Sequence, residues 1–223
     1  MEMSEKMQKK LNDGREYRSM TMDVADAEDY MVVGYATTFD DPYHLYNTMD
    51  KKGNEVEVKE VVSRDAFNDT DMSDVIFQYD HEGRVFARLS NKTMNLEADD
   101  HGLKVTAYLG GTEIGRNLYE EIKGGYTDKM SFGFTVAKDH MSFDGDAYIR
   151  SIDAIGKLYD VSAVSLPQNG NTEIISARKH IDGVIDELET ERARAEEEAR
   201  MLNEKKENLL AKLKTLKGER NGN

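Results

Sequence analysis

Apolar and polar residues alternate in short runs along most of the chain, and each run predicts a β-strand. The clearest is residues 55–62 (EVEVKEVV), where valine alternates with charged residues as in a half-buried strand. Similar runs predict strands at residues 30–36, 75–79, 85–89, 94–98, 103–109, 128–136, 148–152 and 158–166. Short strands at a spacing of roughly ten residues predict a predominantly antiparallel, barrel-like or sandwich-like sheet.

Helices are predicted where apolar residues recur at a longer spacing. Between residues 112 and 123, Ile114, Leu118 and Ile122 lie four residues apart, which gives a helix one apolar face. Ser63 is placed as the N-cap of a second, shorter helix. The predicted fold class is therefore mixed α/β, a predominantly antiparallel β-barrel-like core with surrounding helices.

The C-terminal segment, residues 176–223, is predicted to be one long charged helix with a heptad seam. Two interleaved sets of seam positions recur every seven residues: Ile181, Leu188, Ala195, Leu202, Leu209 and Leu216, then Ile185, Arg192, Ala199, Lys206 and Leu213. Because alanines, an arginine and a lysine occupy this seam, we expect a weak or partner-dependent coiled coil, with a second copy of the chain as one candidate partner. A single solvated helix is the alternative interpretation.

These patterns divide the chain into three parts. Residues 1–14 are polar and end in Asn-Asp-Gly, so we expect a flexible lead-in. Residues 15–175 carry the strand pattern and are expected to form the folded domain. Residues 176–223 carry the heptads.

Composition narrows the classes of function. Asp and Glu number 44 against 30 Lys and Arg, a formal net charge of −14, which disfavours nucleic acid and anionic membranes as partners. The chain has no cysteine, which excludes disulfides, cysteine zinc sites and a thiol nucleophile. With no signal-peptide pattern and no apolar run of about 18 residues, we expect a soluble protein of a reducing compartment.

Three residues carry the candidate chemistry: Ser131, His81 and Asp160. Ser131 lies near the start of the predicted strand 128–136. Gly133 follows two positions later, and because it has no Cβ atom another backbone or a substrate can approach closely. Of the five histidines, His81 is the best candidate for a base, because it ends an apolar strand. Nucleophilic hydrolysis needs a hydroxyl, an imidazole and a group that orients the imidazole. Structural polar residues are the alternative interpretation.

No metal or cofactor is expected. The acidic clusters Asp99-Asp100 and Asp144-Gly145-Asp146 fit turns better than a calcium loop, because no further ligands follow at the required spacing.

Four segments resemble, in the same order, motifs of the tailed-phage prohead maturation proteases. Residues 79–88 (YDHEGRVFAR) resemble that family's N-H-D-P-x-x-x-L-G-R, and residues 95–103 resemble its L-x-x-E-D-D-x-G-L. Residues 128–134 resemble its S-x-M-S-F-G-F, and residues 158–167 its L-x-E-V-S-x-V-T-x-P. The resemblance extends over about residues 30–175. Glu82 and Gly83 depart from the family's Asp-Pro beside the histidine.

The resemblance implies a serine endopeptidase that cleaves scaffold and capsid-protein extensions, and itself, during procapsid assembly. Its substrates would be the major capsid protein and scaffold segments, met in the host cytoplasm inside the assembling procapsid. The implied fold is similar to that of the herpesvirus assembly protease. The alternative is a catalytically inactive assembly or scaffold module that acts through its C-terminal helix.

Carried over by position, the resemblance implies Ser131 as nucleophile, His81 as general base and Asp160 as the third catalytic member. Many relatives have Glu where this chain has Asp160, and Asp153 is the competing candidate for that role. Oxyanion donors are expected near Gly133 or in the loop after Leu166.

Overall fold

The structure is a computed structural model of the 223-residue chain, and it describes residues 9–10, 13–23, 30–164 and 170–220. The chain divides into two compact units, Met1–Asp182 and Gly183–Asn223. The expected domain boundary near residue 175 stays a prediction.

Ten strands and two helices are assigned within the described residues. The strands are β1 (Glu16–Asp23), β2 (Met31–Thr38), β3 (Tyr43–Met49), β4 (Glu55–Val62), β5 (Ile76–Tyr79), β6 (Glu82–Arg88), β7 (Met94–Ala98), β8 (Gly102–Tyr108), β9 (Lys129–Phe143) and β10 (Ala147–Val164). The helices are α1 (Glu113–Lys123) and α2 (Gly170–Arg220). The prediction of a mixed α/β protein made mostly of strands is confirmed.

The strands form one sheet whose main path runs β3-β4-β10-β9-β1-β2-β8-β7. Off this path, β5 pairs with β10 and with β6. The pairings are antiparallel except for those of β10 with β4 and β5, which are parallel. Because β3 and β7 end the path, the described strands form an open sheet and not a closed barrel. Exposed polar side chains such as His44 and Asn47 on β3 and Glu97 on β7 suit edge strands, which must stay unpaired in solution.

The hairpin β9–β10 is the longest pairing of the sheet. The sequence predicts two strands within residues 148–166, but β10 is one continuous strand from Ala147 to Val164. Register shifts between Ile152 and Asp160 absorb the irregular sequence around Gly156 as bulges. Asp144 lies in the connecting turn, as predicted, and its carboxylate accepts from the N–H groups of Asp146 and Ala147 at 3.0 and 2.9 Å.

The prediction of a short helix after Ser63 is wrong. Residues 64–69 form successive turns. The N–H groups of Ala66, Asn68 and Thr70 each donate to the carbonyl three residues earlier, a tighter pattern than the four-residue spacing that propagates an α-helix.

Helix α1 begins after Thr112, whose hydroxyl accepts from the N–H of Gly115 at 3.1 Å. Leu118 and Ile122 of the predicted apolar face are buried, together with Tyr119, in the apolar core of the first unit. The predicted helix and its core-facing stripe are confirmed.

A second group is charged, with four buried residues and the partly exposed Asp139, and we call it the ion-pair cluster: Glu16, Arg18, Glu60, Asp139 and Arg150. Arg18 contacts Glu60 at 2.6 Å and Glu16 at 2.7 Å. Arg150 contacts Glu16 at 2.6 Å, Glu60 at 2.9 Å and Asp139 at 2.6 Å. The cluster therefore joins four strands: β1, β4, β9 and β10.

The start of α2 belongs to the first unit. Ala177 and Ile181 are buried there, and the Tyr46 hydroxyl donates to Asp182 at 2.9 Å. Farther along α2, every side chain from Glu191 to Leu213 is exposed, the seam leucines included. The predicted coiled coil stays a prediction. No helix in the described ranges is long and apolar enough to cross a membrane.

Candidate active site

The candidate residues of β9 and β10 share one face of the sheet. Ser131 of β9 pairs with Ser162 of β10, which in turn pairs with Gln78 of β5. Gly133 and Asp160 form the next row on the same face, because side chains alternate along a strand. The opposite face of these strands carries the core residues Phe77, Phe132 and Val161. The sheet thus separates a polar face from the apolar core.

His81 reaches this polar face from the turn between β5 and β6. Tyr79 and Glu82 pair across the hairpin, so Asp80 and His81 are its two loop residues. Their φ angles are +48° and +59°. Two-residue hairpins favour positive φ at both positions, and for that reason favour Asn and Gly there. Histidine is a costly choice at such a position, and costly backbone conformations cluster at functional sites.

Ser131, His81 and Asp160 form a continuous line of hydrogen bonds. The Nε2 atom of His81 lies 2.6 Å from Oγ of Ser131. The other ring nitrogen, Nδ1, is bonded to Oδ1 of Asp160. The structure therefore brings together the three residues that the sequence singles out.

Ser162 makes two further contacts within this group. Its hydroxyl accepts from the backbone N–H of His81 at 3.2 Å and donates to Oδ1 of Asp160 at 3.1 Å. The neighbouring N–H of Asp80 donates to the carbonyl of Ala163 at 3.0 Å. Two adjacent backbone N–H groups of the turn therefore donate hydrogen bonds to strand β10.

Gly133 provides the space that Asp160 occupies. A Cβ atom at this position would lie 2.7 Å from Oδ2 of Asp160 and 2.7 Å from Cε1 of Tyr17. Both distances are too short for non-bonded contact. The Asp160 carboxylate can therefore occupy its position only because residue 133 has no side chain.

The electrostatic surroundings favour an ionised Asp160. Burial alone would raise the pKa of its carboxyl group, but the charge and hydrogen bond of His81, the Lys10 ammonium and the Ser162 hydroxyl lower it. Together they hold the pKa of Asp160 below its ordinary value of 3.8. A carboxylate in this position can stabilise positive charge on the imidazole.

The site is closed to solvent. Ser131 is 0% exposed, Asp160 1% and His81 2%. The ring of Tyr17 packs edge-on against the His81 ring, with centroids 4.4 Å apart. The Lys10 ammonium donates to the carbonyl of His81. A substrate must therefore displace part of this cover before it can reach Ser131.

The other candidates lie elsewhere. Asp153, the competitor of Asp160, contacts His140 at 2.9 Å. His44 contacts Glu57 at 2.9 Å, and the His101 ring packs against Tyr35. The loop after Leu166, where oxyanion donors are expected, falls outside the described residues. Within the described ranges, no three His, Asp or Glu side chains converge as they would around a metal ion.

Sequence reasoning did not identify Ser162, Tyr17 and Lys10 as part of the site. Ser162 could have been found, because it lies two positions after Asp160 in a strand and must share its face. Nothing in the local sequence marks Tyr17 or Lys10, since both reach His81 only through the tertiary fold.

A hydroxyl, an imidazole and a carboxylate in one hydrogen-bonded line form the arrangement that serine hydrolases use. The chain belongs to the family of caudovirus prohead serine proteases, whose family model matches residues 16–186. The resemblance of the four motifs to this family is thereby confirmed. No curated protein and no solved structure compared with the chain matches it.

Proposed function

We propose that this protein is a prohead maturation serine endopeptidase in which Ser131 is the nucleophile, His81 the general base and Asp160 the residue that orients His81. The observation that carries the proposal is the hydrogen-bonded line from Ser131 through His81 to Asp160. This line lies entirely within the region matched by a protease family.

In the proposed reaction, Nε2 of His81 takes the proton of Ser131 as Oγ attacks the carbonyl carbon of the scissile bond. Asp160 stabilises the resulting imidazolium through Nδ1. His81 then gives its proton to the leaving amine, and the C–N bond breaks to leave an acyl ester on Ser131. A water molecule, deprotonated by His81, hydrolyses that ester and restores the hydroxyl.

The finer assignments follow from the family and from the net charge. The proposed substrates are scaffold segments and extensions of the major capsid protein, and the chain is proposed to cleave itself. Cleavage takes place inside the assembling procapsid in the host cytoplasm. A fold similar to that of the herpesvirus assembly protease is part of the proposal. A net charge of −14 supports protein rather than nucleic-acid or membrane partners.

The domain assignment is part of the same proposal. Residues 15–175 are proposed as the protease domain, to whose unit the start of α2 as far as Asp182 also belongs, and the rest of the C-terminal segment 176–223 is proposed to associate with other helices during assembly. The seam residues Leu202 and Leu209 support such a partner, because they are 70% and 61% exposed in the single chain.

The test is co-expression with the presumed capsid and scaffold proteins, followed by mass spectrometry of all chains. Wild-type protein should produce defined cleavage products, and Ser131→Ala should lower their rate of formation by at least about 10³-fold. Ser142→Ala, an exposed position on the same strand, is the matched control and should cleave normally. Normal cleavage by Ser131→Ala would refute the nucleophile assignment.

The second candidate function is an inactive assembly or scaffold module, favoured by the exposed seam of α2. This candidate predicts that wild-type protein and Ser131→Ala assemble procapsids of the same composition with uncleaved chains. The same mass spectrometry therefore separates the two functions.

A further inference from the structure

Ser162 is a buried hydroxyl to which the proposed reaction assigns no step. It is 0% exposed and lies beside Ser131 in the register of β9 and β10. A buried hydroxyl of this kind is costly unless it is hydrogen-bonded. Its two partners are both parts of the catalytic line: the backbone of His81 and the carboxylate of Asp160.

The first contact concerns the backbone of His81. Asp80 and His81 both have positive φ, a conformation that residues with a Cβ adopt at a cost. The turn is kept in place by bonds to β10, and Ser162 accepts the His81 N–H directly. The position of the His81 backbone limits where the imidazole can lie, because rotation about the χ angles moves the ring only relative to that backbone. The direction of the ring towards Ser131 therefore depends on the turn.

The second contact concerns the carboxylate. Oδ1 of Asp160 is the oxygen that accepts from His81 Nδ1, and it also accepts from the Ser162 hydroxyl. Two donors on one oxygen fix the carboxylate plane, because acceptor geometry limits where the donors can lie. Ser162 therefore contacts both residues that form this bond: the backbone N–H of His81 and the accepting oxygen of Asp160.

We propose that Ser162 is a positioning residue that sets the distance and angle between the His81 imidazole and the Asp160 carboxylate, and through them the alignment of His81 with Ser131. This proposal rests on the proposed serine-hydrolase function. Ser162 takes no proton and forms no bond to substrate. Its hydroxyl acts by holding one backbone N–H and one carboxylate oxygen in fixed places.

The experiment uses the purified full-length chain and a fluorophosphonate probe, which needs no knowledge of the cleavage sequence. Oγ of Ser131 attacks phosphorus, fluoride leaves, and His81 takes the hydroxyl proton. The maximal labelling rate reports alignment of the reacting groups, whereas the half-saturating probe concentration reports binding. Labelling at Ser131 is located by mass spectrometry of peptides.

Ser162→Ala should lower the maximal labelling rate about tenfold or more, the size expected for loss of a hydrogen bond to a charged group. The half-saturating concentration should stay within about twofold of wild type. Ser151→Ala, the same change on the same strand but far from the site in the register, should label as wild type. A wild-type maximal rate in Ser162→Ala, or an equal loss in Ser151→Ala, overturns the proposal.

A spectroscopic readout separates this proposal from the proposed function. The imidazole N–H resonance of His81, assigned by its absence in His81→Gln, should shift in Ser162→Ala and stay in place in Ser151→Ala. An unshifted resonance in Ser162→Ala overturns the positioning role. Failure of the wild-type protein to label at Ser131 counts against the proposed function alone, because the resonance still reports on Ser162.

Should Ser162→Ala fail to fold, Ser162→Cys replaces it in both measurements. The thiol keeps a side chain at the position but donates only weakly. The same fall in labelling rate and the same shift of the His81 resonance are expected, and wild-type values in both overturn the proposal.

Discussion

Two buried polar clusters share strand β10, and they differ in what their groups can do. In the ion-pair cluster, Arg18 and Arg150 face the carboxylates of Glu16, Glu60 and Asp139. Guanidinium groups keep their charge at any working pH, so neither arginine can accept a proton. In the proposed catalytic cluster, which comprises Ser131, His81 and Asp160, the His81 imidazole lies between a hydroxyl and a carboxylate, the geometry in which an imidazole can take a proton from a serine.

The two clusters also differ in their backbone conformation. The five residues of the ion-pair cluster lie in regular strands, and none of them has a positive φ. In the proposed catalytic cluster, His81 lies in a hairpin turn at φ +59°. Burial of polar groups therefore does not by itself mark a functional site. What distinguishes the proposed catalytic cluster is an imidazole hydrogen-bonded to a serine hydroxyl, on a backbone with positive φ.

Replacement of His81 should have the largest effect on activity. His81→Gln keeps an amide that can donate to Asp160 but cannot take the proton of Ser131. Proteolysis should fall by at least about 10³-fold, while the free energy of unfolding should change by no more than about 2 kcal/mol. Product formation and urea unfolding of the same preparation measure the two quantities. Wild-type proteolysis by His81→Gln would remove the distinction between the clusters.

The reverse result is expected in the ion-pair cluster. Arg150→Met leaves Glu16 and Glu60 buried with fewer partners and should lower the free energy of unfolding by about 3–5 kcal/mol. Cleavage per folded molecule should stay near wild type. Arg64→Met, whose ion pairs with Asp40 and Asp100 are exposed, is the control and should cost at most about 1 kcal/mol. A loss of activity in folded Arg150→Met would mean that the two clusters are coupled.

The start of α2 offers a milder test, because it packs beside the ion-pair cluster. Ala177 and His180 line a cavity of about 190 Å³ together with Glu16, Asp139 and Arg150. A chain ending after Thr190 keeps the buried Ile185 and loses only exposed residues of the described helix, so its stability should stay within about 1 kcal/mol of wild type. A chain ending at residue 176 loses the buried Ile181 and the bond from Tyr46 to Asp182, and should lose about 2–4 kcal/mol. Equal stability of the two chains in urea would contradict this assignment of Ala177–Asp182 to the first unit.

Acid should affect both clusters in the same direction. Burial raises the pKa of Glu16, but Arg18 and Arg150 lower it further, and the net shift is below the ordinary 4.5. The pKa of Asp160 is lowered as well. Because the unfolded chain binds these protons more readily, their stabilisation is complete above about pH 4.5 and is lost as pH falls through the folded-state pKa values.

Urea unfolding at a series of pH values from about 7 to about 3 measures this loss. In Arg150→Met the acid dependence should be shallower, because Glu16 no longer has that partner. An equally steep dependence in the variant would assign the acid response to other carboxylates.

Regular periodicity made much of the fold predictable. Strand β4 alternates without interruption, and α1 repeats its apolar residues every four positions. Strand β3 was not predicted, because Tyr43–Met49 mixes buried and exposed residues without alternation. The bulges of β10 broke its period and made one strand look like two. The alternation of side chains between the two faces of a strand is interrupted wherever a bulge adds a residue.

The site was predictable to the extent that its residues carry local signals. Ser131 and Asp160 lie in recognisable strand motifs, and His81 follows an apolar strand. The contact of Lys10 with His81 spans 71 residues along the chain, and no local pattern encodes such a distance. The open edges of the sheet are likewise a property of strand order, which alternation does not specify.

The complete burial of Ser131 has a consequence for inhibitor discovery. A compound that reaches the hydroxyl must bind a conformation other than the closed one, so its measured potency contains the population of the open form. If about 1% of molecules are open, the apparent dissociation constant is about 100-fold weaker than the intrinsic one. Screens against the closed chain would therefore underestimate the intrinsic affinity of every active-site compound by the same factor. Any change that opens the site, such as loss of the Lys10 contact, would raise the potency of every active-site compound by the same ratio.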